Sequence, residues 1–286
     1  MMVSSCVGTG WIVLFARKRG KGPYIIHVTG RDAWRFMAAA VLSVLVALAL
    51  FSDIPASVRT WTEWSLPLSG KVIALDAGHG GIDGGAVSRT GVVEKDINLA
   101  IALYLRDYLQ QAGAVVALTR EGDYDLAAPE TRGTASRKTE DLHERVRRIE
   151  GQGAVLAVSI HLNSIPSARW RGAQTFYSPK RPDSQRLALA IQRELRESLG
   201  NTNREALAAE EVFLLNELDM PSALVEVGFL SNPQESELLA DPGYQRKVAA
   251  AVYRGILRFL TEKAAGDEAL AAQAARTGLA NWLPKP

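Results

Sequence analysis

The stretch that most restricts the fold is Lys71-Val72-Ile73-Ala74-Leu75 together with the glycine cluster after it, Asp76-Ala77-Gly78-His79-Gly80-Gly81. A short, β-branched apolar run bounded by Gly70 and that cluster reads as a buried strand. Its carboxyl end delivers His79 into a loop where glycines let backbone approach whatever the histidine holds. In open α/β sheets that edge is where ligands bind. A lone histidine there has an ordinary use as well, as an imidazole bonded to a carbonyl.

A second histidine ends an apolar strand in the same way. Ala154-Val155-Leu156-Ala157-Val158-Ser159-Ile160 runs into His161-Leu162-Asn163-Ser164, and the chain has only four histidines, His27, His79, His143 and His161. Two strands of one sheet would raise two imidazoles at one edge. A hydrolytic zinc site takes three protein ligands, commonly two histidines and a carboxylate, and leaves a position for water. Glu94 closes the loop that starts at His79, just before a helix opening at Asp96. By spacing it serves equally as a third ligand or as a first-turn acid favoured by the helix dipole. The fourth piece is Ala223-Leu224-Val225-Glu226-Val227-Gly228-Phe229-Leu230-Ser231-Asn232. An acid at the end of a buried strand needs a reason, since burying an unpaired carboxylate is costly. Glu226 either caps a helix or pairs with an arginine, or it is a general base beside a metal-bound water.

Taken together, Asp76 to Gly81, Glu94-Lys95-Asp96, Ser159 to Asn163 and Val225 to Asn232 resemble the zinc-dependent N-acetylmuramoyl-L-alanine amidases in order and spacing, over roughly Leu68 to Lys263. Trp64 to Gly70, Arg137 to Leu142 and Trp170 to Tyr177 are further similar to the germination-specific, spore-cortex amidases of the CwlD type. Two positions depart from that pattern: Ala77 stands where proline is usual, and Ile149-Glu150 where Ala-Asn is common. The resemblance implies one Zn²⁺ per chain on His79, Glu94 and His161, with Glu226 carrying the proton. Arg145 and Asn163 would support the ligands from behind. It implies a peptidoglycan substrate, both glycan strand and stem peptide, cut at the amide between the muramic lactyl group and L-alanine. The spore-cortex likeness adds muramic-lactam formation, an extracytoplasmic forespore or cortex location, and a regulatory protein partner. Only about ten residues separate His161 from Gly172, too few for the inhibitory helix that some relatives insert, so the cleft should stand open. Rival readings are another zinc peptidoglycan hydrolase, a peptidase or deacetylase, or a non-catalytic wall-binding protein; the intact His79, Glu94, His161 and Glu226 argue against the last.

The remaining chain sets the domain plan. A net charge of +2 is too balanced to argue for nucleic acid, and the single Cys6 excludes an internal disulfide. Residues 1–36 form a basic leader and 37–51 an apolar run, shorter than the ~20 residues that span a bilayer comfortably, which suits a signal-peptide core or a membrane anchor. Residues 52–69 read as a linker, 70–263 as the catalytic domain and 264–286 as a flexible tail.

Helical spacing appears at Ile97, Ile101, Leu105, Tyr108 and Ala112, stopped by Gly113, and again at Leu187, Ile191 and Leu195, closed by Gly200. A last helix opens at Asp241-Pro242 with Val248, Val252, Ile256 and Phe259 on one face. Arg120 to Thr139 reads as polar turns, a helix begins at Leu142 with His143 on its solvated side, and Val212 to Leu215 reads as a strand. Alternating strands and helices predict an α/β three-layer sandwich: a mixed, mostly parallel sheet of about six strands with helices on both faces.

Overall fold

The computed structural model describes the backbone of Ile12–Ala16, Tyr24–Val28, Gly30–Phe51 and residues 66–277, with side chains over 34–47 and 66–262. Cys6, the 52–65 part of the linker and the 278–286 end of the tail lie outside the described residues. The chain divides into two compact units, Met1–Trp64 and Ser65–Pro286. In the first, β1 (Ile12–Ala16) and β2 (Tyr24–Val28) pair antiparallel, and α1 (Gly30–Phe51) follows. This hairpin lies within the basic leader, residues 1–36. Among the described residues no helix is long and apolar enough to cross a membrane.

The second unit is built on one sheet. In chain order it contains β3 (Val72–Ala77), α2 (Glu94–Gln111), β4 (Val115–Leu118), α3 (Thr134–Glu150), β5 (Leu156–Asn163), β6 (Gln174–Tyr177), α4 (Pro182–Leu199), β7 (Leu207–Ala208), α5 (Phe213–Glu217), β8 (Ser222–Phe229), α6 (Pro233–Ala240) and α7 (Pro242–Thr277). The six strands lie in the order β4-β3-β5-β8-β6-β7. All pairs are parallel except β6 with β8. Strand and helix alternation therefore produces the mixed, mostly parallel sheet with helices on both faces that the sequence predicts.

The two faces are unequal. Ile73, Leu75, Val158, Ile160, Val225 and Val227 join the large core beneath α2, α4 and α7. Their intervening neighbours Ala74 and Ala157 pack in a small core with Ile149 of α3 and Leu214 and Leu218 near α5. Period-two alternation thus puts large side chains on the thick side and small ones on the thin side. Ile97, Ile101, Leu105 and Leu109 of α2 are all buried, and each contributes roughly 1.5–3 kcal/mol relative to exposure. Glycine ends α4 because Gly200 takes the left-handed turn at φ 65°. Asn232 starts α6 by accepting the Glu235 N–H at 3.0 Å.

Several boundaries move. α3 begins at Thr134, inside the stretch read as turns, because its buried stripe is polar: Asp141, Arg145 and Ile149 recur every four residues. Val212 to Leu215 is not a strand but leads into the one-turn helix α5, a short apolar run that periodicity cannot assign. Leu68, placed in the linker, is fully buried and its N–H bonds the Ala112 carbonyl at 3.0 Å, so the compact unit starts before residue 70. The helix of α7 continues in backbone to Thr277, through half of the segment read as a tail.

Candidate active site

Three strands carry the site at their carboxyl rim. Register pairs Asp76 with Ser159 across β3 and β5, and His161 with Glu226 across β5 and β8. His161 and Glu226 therefore stand side by side, both on the thin face. His79 leaves β3 two residues beyond its end in the left-handed conformation, φ 62°, which histidine tolerates better than most side chains. Arg145 Nη2 holds that turn by donating to the His79 carbonyl at 2.6 Å.

Loop closure brings Glu94 in from the thick side. Val87 and Val93 form an antiparallel bridge, and Ser88 Oγ accepts the N–H of Val92, so residues 86–94 double back on themselves. Glu94 and Ala86 then bond reciprocally: the Glu94 N–H to the Ala86 carbonyl at 2.9 Å, and the Ala86 N–H to Glu94 Oε2 at 2.8 Å. This leaves Glu94 Oε1 aimed at the rim, 3.2 Å from His79 Nε2 and 3.2 Å from His161 Nδ1, and it also accepts the Leu162 N–H at 2.9 Å. One donor atom from each of His79, Glu94 and His161 falls within 4.8 Å of the other two. The rings of His79 and His161 meet edge to face, centroids 5.0 Å apart.

Glycine is required twice for this approach. A Cβ on Gly78 would lie 2.2 Å from His161 Cε1. One on Gly85 would lie 2.6 Å from Glu94 Oε2 and 2.8 Å from His79 Cδ2.

Charge follows the geometry. Burial works against ionisation of Glu94, but the two imidazoles outweigh it and hold its carboxyl well below the usual range. Burial also opposes charge on His79, and the Glu94 and Asp83 carboxylates outweigh that in turn, raising its pKa. Glu226 behaves oppositely. Its burial prevails over the pull of His161 and His79, aided by the nearby Glu94 carboxylate, and lifts its pKa to about 7. Its Oε2 is buried without a hydrogen-bond partner. Two nitrogens and one ionised carboxylate oxygen converging at the mouth of a cleft suit a divalent cation, and the cleft, about 380 Å³, is lined further by Lys138, Leu142 and Phe213. No helix intervenes between β5 and β6, so the cleft stands open as the spacing implies.

Arg145 apart, sequence reasoning passed over the residues that hold the loop. Asp83 Oδ2 lies 2.9 Å from His79 Nδ1, the outer carboxylate that ligating histidines often keep. Asp76 accepts from Thr119 and Ser159 and pairs with Arg145 Nη1 at 2.6 Å; burial disfavours its charge, yet Arg145 and the hydroxyl donors bring its pKa down to about 2. Arg145, itself held charged by Asp76 and Asp141 against its burial, also donates to the Ala77 carbonyl. Arg120, fully buried, donates to the carbonyls of Ala77, Gly78 and Lys95. Arg145 thus stands behind His79, its Nη2 donating to the His79 carbonyl. Asn163 does not join it: its carbonyl accepts the Leu230 N–H beyond a register shift, and its side chain bonds none of the cluster residues. His143 is exposed on α3, its ring over Phe213, away from the cluster.

Comparison with known proteins reaches the same place. A family model described as N-acetylmuramoyl-L-alanine amidase matches residues 73–258. The germination-specific N-acetylmuramoyl-L-alanine amidase of Bacillus subtilis (strain 168) is 50% identical over 223 residues, covering 78% of this chain and 94% of that protein. Among solved structures, the CwlD amidase from Clostridioides difficile, in complex with the GerS lipoprotein, superposes with a TM-score of 0.65 at 44% identity over 67% of this chain and 98% of that one. The catalytic domain of the amidase CwlV from Bacillus (Paenibacillus) polymyxa gives 0.59 at 34% identity, over 67% and 98%. The matched span contains every cluster residue and Glu226, and by that family match the chain belongs to the N-acetylmuramoyl-L-alanine amidases.

Proposed function

We propose that the chain is a zinc-dependent amidase that cleaves the bond between the lactyl group of N-acetylmuramic acid and L-alanine of the stem peptide. The observation that carries this reading is the convergence of His79, Glu94 and His161 beside Glu226, whose buried Oε2 has no hydrogen-bond partner. One zinc ion per chain on those three side chains would supply Lewis-acid polarisation of the amide carbonyl and acidify water. Glu226 Oε2 takes a proton from the attacking water and returns it to the amide nitrogen as the C–N bond breaks. A carboxyl group with a pKa of about 7 suits both halves of that transfer near neutral pH. His79 and His161 are held as ligands by Asp83, Glu94 and the glycine approach, so little reorganisation accompanies substrate entry.

The biological setting belongs to the same proposal. Half of the aligned residues are shared with a germination-specific amidase, which supports action on spore-cortex peptidoglycan and formation of muramic lactam. The likeness to an enzyme solved with a lipoprotein supports a regulatory protein partner. The basic leader and apolar run support export, with residues 37–51 as signal core or membrane anchor ahead of the catalytic unit.

Glu226→Gln tests the chemistry. Glutamine keeps the shape and cannot carry the proton, so the variant should retain fold and one zinc per chain and lose ~10²–10⁴ in rate. The assay is release of stem peptide from muropeptides, and near wild-type release removes Glu226 from the mechanism. A product other than peptide with a free L-alanine amine identifies a peptidase or deacetylase instead.

A further inference from the structure

Glu226 has a second neighbour in the sheet. Its register partner on β6 is Gln174, so His161, Glu226 and Gln174 stand in a row across β5, β8 and β6 with their side chains on one face. Gln174 Oε1 accepts from Arg204 Nη1 at 3.2 Å, and Arg204 opens a second cleft, about 530 Å³, whose walls include Arg169, Trp170, Arg171, Asn201 and Thr202. There two guanidinium groups stand over Trp170, Arg169 Cζ 5.0 Å and Arg204 Cζ 5.4 Å from its ring centre. Arg204 also lies 5.2 Å from the centre of the Phe229 ring, and its Nε donates to the Arg171 carbonyl at 3.4 Å.

These arginines differ from most others in the unit. Arg137, Arg145 and Arg181 each hold a carboxylate, at Asp125, Asp76 and Asp219. Among the described residues Arg169, Arg171 and Arg204 make no ion pair with one. The nearby buried acid, Glu235, is turned inward: it accepts the N–H groups of Gly172 at 2.9 Å and Phe229 at 2.8 Å, and the Asn201 side chain at 3.3 Å. Glu235 thereby fixes the floor of the cleft: its charge acts on Arg171 and Arg204 through space, but its oxygens are committed to Gly172, Phe229 and Asn201 and form no close ion pair with either arginine. Guanidinium groups stacked on aromatic faces lose little freedom on binding and present a planar fork that matches a carboxylate.

We propose that this cleft is the subsite for a free carboxylate of the stem peptide, on a residue beyond the scissile amide. The assignment rests on the amidase reading above and deepens it. Two strand spacings of ~4.8 Å separate His161 from Gln174, about 10 Å along the rim. An extended peptide advances ~3.3–3.6 Å per residue, so about three stem residues span the rim from the histidine cluster to Gln174, whose side chain accepts the Arg204 hydrogen bond. Trp170 offers an apolar face to the aliphatic part of such a residue while Arg204 and Arg169 take its charge.

The test uses the full chain loaded with zinc and two substrates, an N-acetylmuramoyl tetrapeptide with free stem carboxylates and the same compound with those groups amidated. Wild type should show a KM about tenfold lower for the acidic substrate, the scale of one partly exposed charge-assisted contact. Arg204→Gln and the exposed Arg169→Gln should each raise KM for the acidic substrate and leave that for the amidated one in place; Arg106→Gln, on α2, should change neither. Calorimetry with the acidic tetrapeptide alone reads the cleft without turnover, and should give binding that Arg204→Gln weakens about tenfold. Hydrolysis of both substrates with equal KM, or variants that affect both equally, overturns the subsite alone. Absence of turnover together with Arg204-dependent peptide binding instead refutes the amidase reading and keeps the cleft.

Discussion

Gly78→Ala isolates the close approach on which the proposed metal site depends. Gly78 does not have a positive φ, so alanine brings no backbone penalty there. Its added Cβ would lie 2.2, 2.3 and 2.7 Å from Cε1, Nε2 and Cδ2 of His161, where ordinary contact is 3.4–4 Å. The ring must retreat by more than 1 Å, because the backbone at 78 cannot. Its N–H bonds the Ile160 carbonyl at 3.1 Å, and its own carbonyl accepts from Arg120 at 3.0 Å and Asn98 at 3.2 Å. A misplacement of that size typically costs on the order of 10² in rate. Zinc content after dialysis should fall well below one per chain, and turnover on muropeptides at fixed zinc should drop about a hundredfold. Gly153→Ala is the control: φ is +63° and no atom lies within 4 Å of the new Cβ, so it should lose roughly 1–2 kcal/mol of stability and keep its zinc. Gly78→Ala protein with full zinc occupancy and wild-type turnover would refute the steric account.

Acid should weaken the unit through Asp76. Its pKa is about 2 in the fold against an ordinary 3.8, so ionised Asp76 contributes roughly 2 kcal/mol above pH 4, and that contribution disappears as pH falls through 4 toward 2. Asp76→Asn should be less stable at pH 6 by up to about 3–5 kcal/mol, since buried Arg145 then keeps Asp141 as its one carboxylate partner, and denaturant titrations at pH 6 and pH 3 should differ less for it than for wild type. Arg145→Lys cannot reproduce the bonds to Asp76, Ala77, His79 and Asp141 together, so zinc affinity should fall about 10–100-fold by competition with a chelating dye. His143→Ala should keep its zinc, because that ring touches Phe213 and no member of the cluster; zinc loss would place His143 in the site after all.

What the sequence made legible was apolar. β3, β5 and β8 stand out as β-branched runs, and the residues that end them are the ones at the rim, so His79, His161 and Glu226 could be found from strand ends alone. From spacing Glu94 was readable only as an alternative, named as a ligand by the family resemblance alone, since its position depends on the Val87 to Val93 bridge, a loop contact with no hydropathy signal. Most of the support behind the loop, Arg145 excepted, escaped for a related reason. α3 buries Asp141 and Arg145 in the stripe where a reading for apolar spacing looks for leucine, and Asp76 and Arg120 satisfy each other's neighbourhood across more than forty residues of chain. Asp83, in a turn of glycines, carries no pattern beyond being an acid four residues after a histidine.

The carbonyls of Ala77, Gly78 and His79 are all gripped by side chains from elsewhere, Arg120 at the end of β4 and Arg145 on α3. A loop held by its main-chain oxygens is indifferent to much of its own sequence, and alanine in place of a usual proline at 77 leaves both donors their acceptor. The same grip sets the order of assembly. His79, a ligand of the proposed metal site, cannot reach its geometry until β4 and α3 have docked, so on that proposal an ion would crown the folded domain rather than nucleate it. In hydrogen exchange the 77–79 turn should then open with the sheet as a whole instead of fraying like an ordinary glycine loop.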